Sequence, residues 1–76
     1  MKLSELKKGD RATIVAIRAS EDLKRRLNSF GVVRGSQLVV EAYAPAHSTI
    51  EIMVDDTLIG LRASEAEHIE VEPIDG

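Results

Sequence analysis

The chain has 76 residues, a formal net charge of −3 and no cysteine. A chain that short makes one domain, buries only about 60% of its unfolded surface and has no disulfide or thiolate metal site to hold it. The acidic balance lacks the footprint of a general nucleic-acid binder, and one Phe, one Tyr and no Trp are too few rings for a base-stacking platform.

The opening residues, Met1 to Leu6, contain no apolar run long enough for a signal peptide or a membrane span. The lack of cysteine fits a cytoplasmic location. Leu3 to Asp10 reads as a single helical turn, with Ser4 as its cap, Leu3 and Leu6 pointing inward and Gly9 as its stop. Arg11 to Arg18 reads as the first strand. Ile14 and Ala16 share one face, Val15 and Ile17 the other, so the strand is either covered twice or bulged.

Ser20 to Gly35 holds the one substantial helix. Ser20 is its N-cap, Glu21 and Asp22 sit at the positive end of the helix dipole, and Leu23, Leu27 and Phe30 form an apolar stripe. Gly31 suits a left-handed C′ position, which places Leu27 and Val32 as the contact pair of a Schellman cap. Gly35 suits the φ > 0 position of a second turn.

Leu38 to Tyr43 gives a second strand with Leu38, Val40 and Ala42 on one face, and Pro45 ends the ladder in the loop that follows. Ile50 to Val54 and Thr57 to Leu61 flank Asp55-Asp56. A two-residue turn there pairs Val54 with Thr57, Ile52 with Ile59 and Ile50 with Leu61, all on one face. The strained position of that turn is expected at Asp56, where glycine would tolerate φ > 0 more readily. Gly60 suggests close packing, with the space under the helix as its expected place. Ser64 and Glu67 form a capping-box pattern for one helical turn. Ile69 to Glu72 closes as a last strand, ended by Pro73, with Ile74-Asp75-Gly76 frayed. Five short strands with one inserted helix and short helical turns make a mainly β (α+β) chain, best closed as a small barrel. Leu23, Leu27 and Phe30 would plug its open end.

In order, these residues read Leu3-x-x-Leu6-x-x-Gly9-Asp10, then Ile14-x-x-Ile17, then Arg26-Leu27-x-x-Phe30-Gly31-Val32-x-x-Gly35. Val40, Ala44-Pro45 and Leu61-Arg62-x-x-Glu65-Ala66-x-x-Ile69-x-Val71 follow. This pattern resembles the ferrous iron transport protein A (FeoA) family, from about Leu3 to Pro73. The resemblance implies an SH3-like small five-stranded barrel spanning the chain as one domain. It also implies a cytoplasmic accessory protein of FeoB, the membrane transporter that imports Fe²⁺ and carries a GTP-binding domain. Two departures stand out. Arg34 replaces a proline frequent before the second turn glycine, which would loosen that turn. Ala46-His47-Ser48-Thr49 replaces a frequent glycine-aspartate-proline loop.

The partner-binding face is expected on the helix and its following turn. Arg26 and Arg34 would offer charge-assisted bonds, and Val32, Val33, Tyr43 and Pro45 an apolar patch. Lys24-Arg25-Arg26 also reads as an ordinary solvated helix face, with Glu21 four before Arg25 and Asp22 four before Arg26. His47 has no adjacent carboxylate. His68, Glu70 and Glu72 are the only candidates for a metal, and would hold Fe²⁺ or another divalent ion weakly at the surface. No catalytic constellation stands out, so neither an enzyme nor a resident cofactor is expected. Nucleic acid and membrane insertion are not expected, and a homo-oligomer through exposed edges is open. The rival readings are a metal-sensing domain like the C-terminal domain of iron-dependent repressors and, behind it, a nucleic-acid-binding small barrel.

Overall fold

The computed structural model of the chain describes residues 1–74. Its strands are β1 (Arg11–Ile17), β2 (Gln37–Tyr43), β3 (Thr49–Val54), β4 (Thr57–Arg62) and β5 (Ile69–Pro73). Helix α1 (Glu21–Ser29) joins β1 to β2, and the single turn α2 (Ala63–Ala66) joins β4 to β5. All neighbours pair antiparallel, in the order β4-β3-β2-β1-β5.

The mixed pattern of β1 has its explanation in a bulge. Arg11 to Thr13 pair with β2, the strand runs on against β5 to Ile17, and the register slips between Ile14 and Ala16. A second slip in β2, between Val40 and Ala42, bends that strand too. Leu38 and Val40 stay buried, but Ala42 moves partly to the surface, against expectation. Two bulges increase local twist and curl a short sheet. One core fills the curl, and it includes Leu3, Leu27, Ile52 and Ile69, each fully buried.

The β3–β4 hairpin has the expected register, with Val54 opposite Thr57, Ile52 opposite Ile59 and Ile50 opposite Leu61. The positive φ falls on Asp55 (φ 54°), not on Asp56. Aspartate tolerates that region better than most residues with a Cβ.

Helix α1 begins as its sequence says. Ser20 Oγ accepts the Leu23 N–H at 3.2 Å. Its end is a Schellman cap: the Val32 N–H reaches the Leu27 carbonyl at 2.9 Å, and the Gly31 N–H reaches Asn28 at 3.0 Å, with Gly31 at φ 80°. Leu27 and Val32 are both fully buried. Phe30 is not in the core; it is 46% exposed. As the C-cap it sits where the chain leaves the helix, and the cap folds Val32 back into the inward place that the stripe assigns to Phe30.

Other expectations shift by a residue or two. The first turn is a 3-10 turn over Leu3–Glu5 with no side-chain cap, so Ser4 lies inside it. A separate turn follows, closed by the Lys7 N–H on Asp10 Oδ2 at 2.7 Å. In α2 the N-cap is Arg62 and the answering carboxylate is Glu65, not Ser64 with Glu67. The Ala63 N–H still bonds Ser48 in line with the β3–β4 ladder, so the helix starts directly behind Arg62. Gly60 is exposed, and a Cβ built there would meet only Thr49 Cγ2, at 3.9 Å; nothing packs close against it. Ile74 is tied by its N–H to Arg11 at 2.8 Å rather than frayed; Asp75 and Gly76 lie outside the described residues.

Candidate functional site

The turn after α1 starts from Leu27. Its burial and the Schellman bonds fix Val32, which leaves Val33 to Ser36 as a surface turn. The Ser36 N–H closes that turn on the Val33 carbonyl at 2.9 Å, with Gly35 at φ 93°. Ser36 Oγ accepts the Val33 N–H at 3.0 Å and donates to the Gly31 carbonyl at 3.3 Å. Gly35 and Ser36 then exchange bonds with Ile14 of β1, at 2.7 and 2.8 Å. The turn is therefore tied down without the proline that Arg34 replaces, contrary to the looseness expected. Ser36 does that work, and the sequence reading missed it.

Between this turn, α1 and the bulged end of β1 runs an open groove of about 270 Å³. Val15, Ala16, Ile17 and Val33 supply its apolar lining, and Lys24, Asn28 and Arg34 its polar rim. Val33 is 46% exposed. Arg34 makes no ion pair among the described residues, and Lys24 reaches Glu21 only at 3.9 Å. No acidic residue among the described residues lines the groove.

The other expected partner residues are not brought here. Val32 is core and offers no side chain to a partner. Arg26 turns from the groove: its Nη2 donates to both Glu65 oxygens, at 2.9 and 3.0 Å, and ties α1 to α2. It does not pair with Asp22, whose neighbour is Arg25 at 3.9 Å. Burial alone would raise the Glu65 pKa; the Arg62 N–H and the Arg26 guanidinium outweigh it and hold the carboxyl below its usual range. Tyr43 ends β2, about 20 Å along the strand from the Val33 turn. Its phenol donates to the Leu6 carbonyl, its ring lies 4.4 Å from that of His47, and burial, with Asp10 nearby, raises its pKa. Pro45 is exposed beside it, so Tyr43 and Pro45 form a separate surface.

The metal candidates do not converge. Glu70 is engaged by the Met1 amine and by Arg18 Nη1, the latter at 3.1 Å, and both cations lower its pKa. Lys2 and Arg18 line the same hollow as His68, and no group of three potential ligands exists among the described residues. No described helix is long and apolar enough to cross a membrane.

The FeoA domain family matches residues 1–73. The chain belongs to the FeoA family. A Campylobacter jejuni protein designated Fe(2+) transport protein A is 39% identical over 74 residues, covering 97% of this chain and all of that protein. A Porphyromonas gingivalis Fe(2+) transport protein A/Fe(2+) transporter FeoB fusion protein is 35% identical over 97% of this chain, which corresponds to 9% of the fusion. Among solved structures, FeoA from Chlorobium tepidum superposes with a TM-score of 0.95 at 43% identity, over the whole chain and 72% of that protein. Stenotrophomonas maltophilia FeoA, solved with zinc and described as a prokaryotic SH3 domain protein, gives 0.80 at 30% identity, over 95% and 89% of the two chains. A manganese-dependent transcriptional repressor gives 0.87 at 25% identity, over 97% of this chain and 41% of the repressor. The fold is the SH3-like barrel that the sequence resemblance implied, and the family is one associated with Fe²⁺ transport.

Proposed function

We propose that this FeoA-family chain is an accessory module of the FeoB ferrous iron transporter, docking on its cytoplasmic part through the groove beside the Val33–Ser36 turn. The observation that carries this reading is the P. gingivalis relative, in which the same domain is continuous with FeoB. A covalent link of that kind holds two partners at an effective concentration in the millimolar range, where even a weak docking surface is occupied. An apolar lining with Lys24 and Arg34 at the rim suits a partner segment that sets an acidic side chain beside an aliphatic one. The module acts in the cytoplasm through contact, with no chemistry and no resident cofactor of its own.

Arg34→Glu and Val33→Asp test this directly. Both residues are exposed, and the turn that carries them is held by Gly35 and Ser36. Their cost in stability is expected within about 0.5 kcal/mol. Binding of labelled chain to detergent-solubilised FeoB, followed by fluorescence anisotropy, should weaken at least about tenfold for either variant. Equal binding by wild type and both folded variants would remove the groove from the account. The likeness to the repressor supports a second reading, a metal-responsive regulatory domain. Stoichiometric Fe²⁺ uptake in anaerobic equilibrium dialysis would favour it.

A further inference from the structure

Strand β4 is an edge of the sheet, with β3 on one side and no strand among the described residues on the other. The Ala63 N–H points to the β3 side, where it bonds Ser48 at 3.0 Å, while the Arg62 N–H points away and bonds Glu65 at 2.9 Å. Backbone direction alternates along a strand. Thr57, Ile59 and Leu61 therefore bond toward β3, and Leu58 and Gly60 aim both N–H and C=O outward. No bond to those groups exists among the described residues.

Natural sheet edges are usually blunted by a lysine, a proline, a bulge or a cover. From Thr57 to Leu61 this edge has no such residue and no bulge. Leu58, at its middle, is 52% exposed. A Cβ at Gly60 would make only an ordinary contact with Thr49 Cγ2, at 3.9 Å, and Gly60 has no positive φ, so nothing in the single chain requires glycine there.

We infer that two copies of this chain pair β4 against β4, antiparallel, with the two-fold axis at Ile59. Three registers bring the outward groups together, and this one is complementary. An axis at Leu58 stacks leucine on leucine and leaves Arg62 without an opposite. An axis at Gly60 needs the Arg62 N–H, which Glu65 already takes. An axis at Ile59 sets Leu58 opposite the partner subunit's Gly60, and the reverse, forming four N–H···O bonds. Each Leu58 side chain then lies over the bare backbone that a glycine provides. The same register brings Asp56, the turn residue just before β4, level with the partner subunit's Arg62, twice by symmetry. Neither residue has an ion-pair partner among the described residues, and opposite charges facing across a strand pair attract. The contact is isologous, as closed dimers require, and its main-chain part is that of strand addition. One short strand per copy makes a small contact, and a weak dimer, in the high micromolar range or above, is expected.

Sedimentation equilibrium and ¹⁵N relaxation from about 10 µM to 1 mM read this dimer out at the concentrations where a small contact acts. Tumbling should slow with concentration, and the Leu58 and Gly60 amides should gain exchange protection with it. Leu58→Lys should raise the dissociation constant at least about tenfold. Asp56→Arg alone should weaken pairing, and adding Arg62→Asp should restore it, which only a second copy in this register would do. All of these side chains are exposed, so melting curves should confirm that the variants fold. A monomer at 1 mM would overturn the inference, as would a dimer indifferent to Leu58→Lys or a double variant that is not rescued.

Discussion

Leu27→Ala probes the residue on which the turn and groove depend. The leucine is fully buried, its carbonyl receives the Val32 N–H, and its side chain joins a core that also holds the fully buried Val32. The substitution deletes three carbons from a site with no access to water. Core truncations of this kind cost about 2–5 kcal/mol, more where the surroundings cannot collapse. Here the surroundings are strands tied by ladder bonds on one side and a hydrogen-bonded cap on the other, so little collapse is available and about 3 kcal/mol is expected. A domain of 76 residues has roughly 4–11 kcal/mol in total. The variant should therefore fold but melt well below wild type, by about 12–24 °C at 4–8 °C per kcal/mol. Leu27→Met keeps volume and apolar character and should cost under about 1.5 kcal/mol. Urea unfolding followed by circular dichroism gives both values. Hydrogen exchange at Val32 and Ser36 should also speed in Leu27→Ala, because the turn is built on the cap. A loss below about 1 kcal/mol, or a melted helix with an intact turn, would refute this account of how the site is held.

Four further predictions concern the rest of the chain. Glu65→Gln should cost about 0.5 kcal/mol, toward the low end because Arg26 is half in solvent. The folded pKa of Glu65 lies below its unfolded value, so its contribution is present above the unfolded pKa and lost as pH falls through the folded one; a pH series of urea midpoints should show that acid-side loss in wild type and less of it in Glu65→Gln. Arg26→Glu would face Glu65 with a second carboxylate, so it should lower the melting temperature even without a partner. Ala46→Gly should stabilise the chain by about 0.5–1 kcal/mol, because Ala46 holds φ 61°, a left-handed angle that costs a Cβ more than it costs glycine. Gly60→Ala, measured at low micromolar concentration, should be neutral or stabilising by up to about 1 kcal/mol, since a methyl there meets only Thr49 at 3.9 Å; a clear loss would mean that the strand is packed on its outer face.

The parts of the fold legible in the sequence are those governed by neighbours along the chain. The β3–β4 register could be read because side chains alternate with period two and only one pairing across Asp55-Asp56 puts Ile50, Ile52, Ile59 and Leu61 on one face. The Schellman cap could be read because Gly31, Leu27 and Val32 stand at fixed offsets. Phe30 was misplaced because a helical wheel continues past the point where the cap diverts the chain. The Arg26–Glu65 pair is not legible in the sequence, because Glu65 is 39 positions away while Asp22 stands at the familiar spacing of four. The candidate site was legible in part. Val33 and Arg34 do share one groove, but Tyr43 and Pro45 belong to the far end of β2. That separation appears only once the strand between them is laid down in space.

In the proposed docking, this chain meets FeoB at the groove beside the Val33–Ser36 turn. Titration of ¹⁵N-labelled chain with the cytoplasmic part of FeoB, followed amide by amide, tests it most directly. Docking at the groove should shift Val15 to Ile17, Lys24, Asn28 and Val33 to Gly35 and leave Tyr43 to His47 unmoved. Shifts centred on Tyr43 to His47, or none at saturating FeoB, would contradict it.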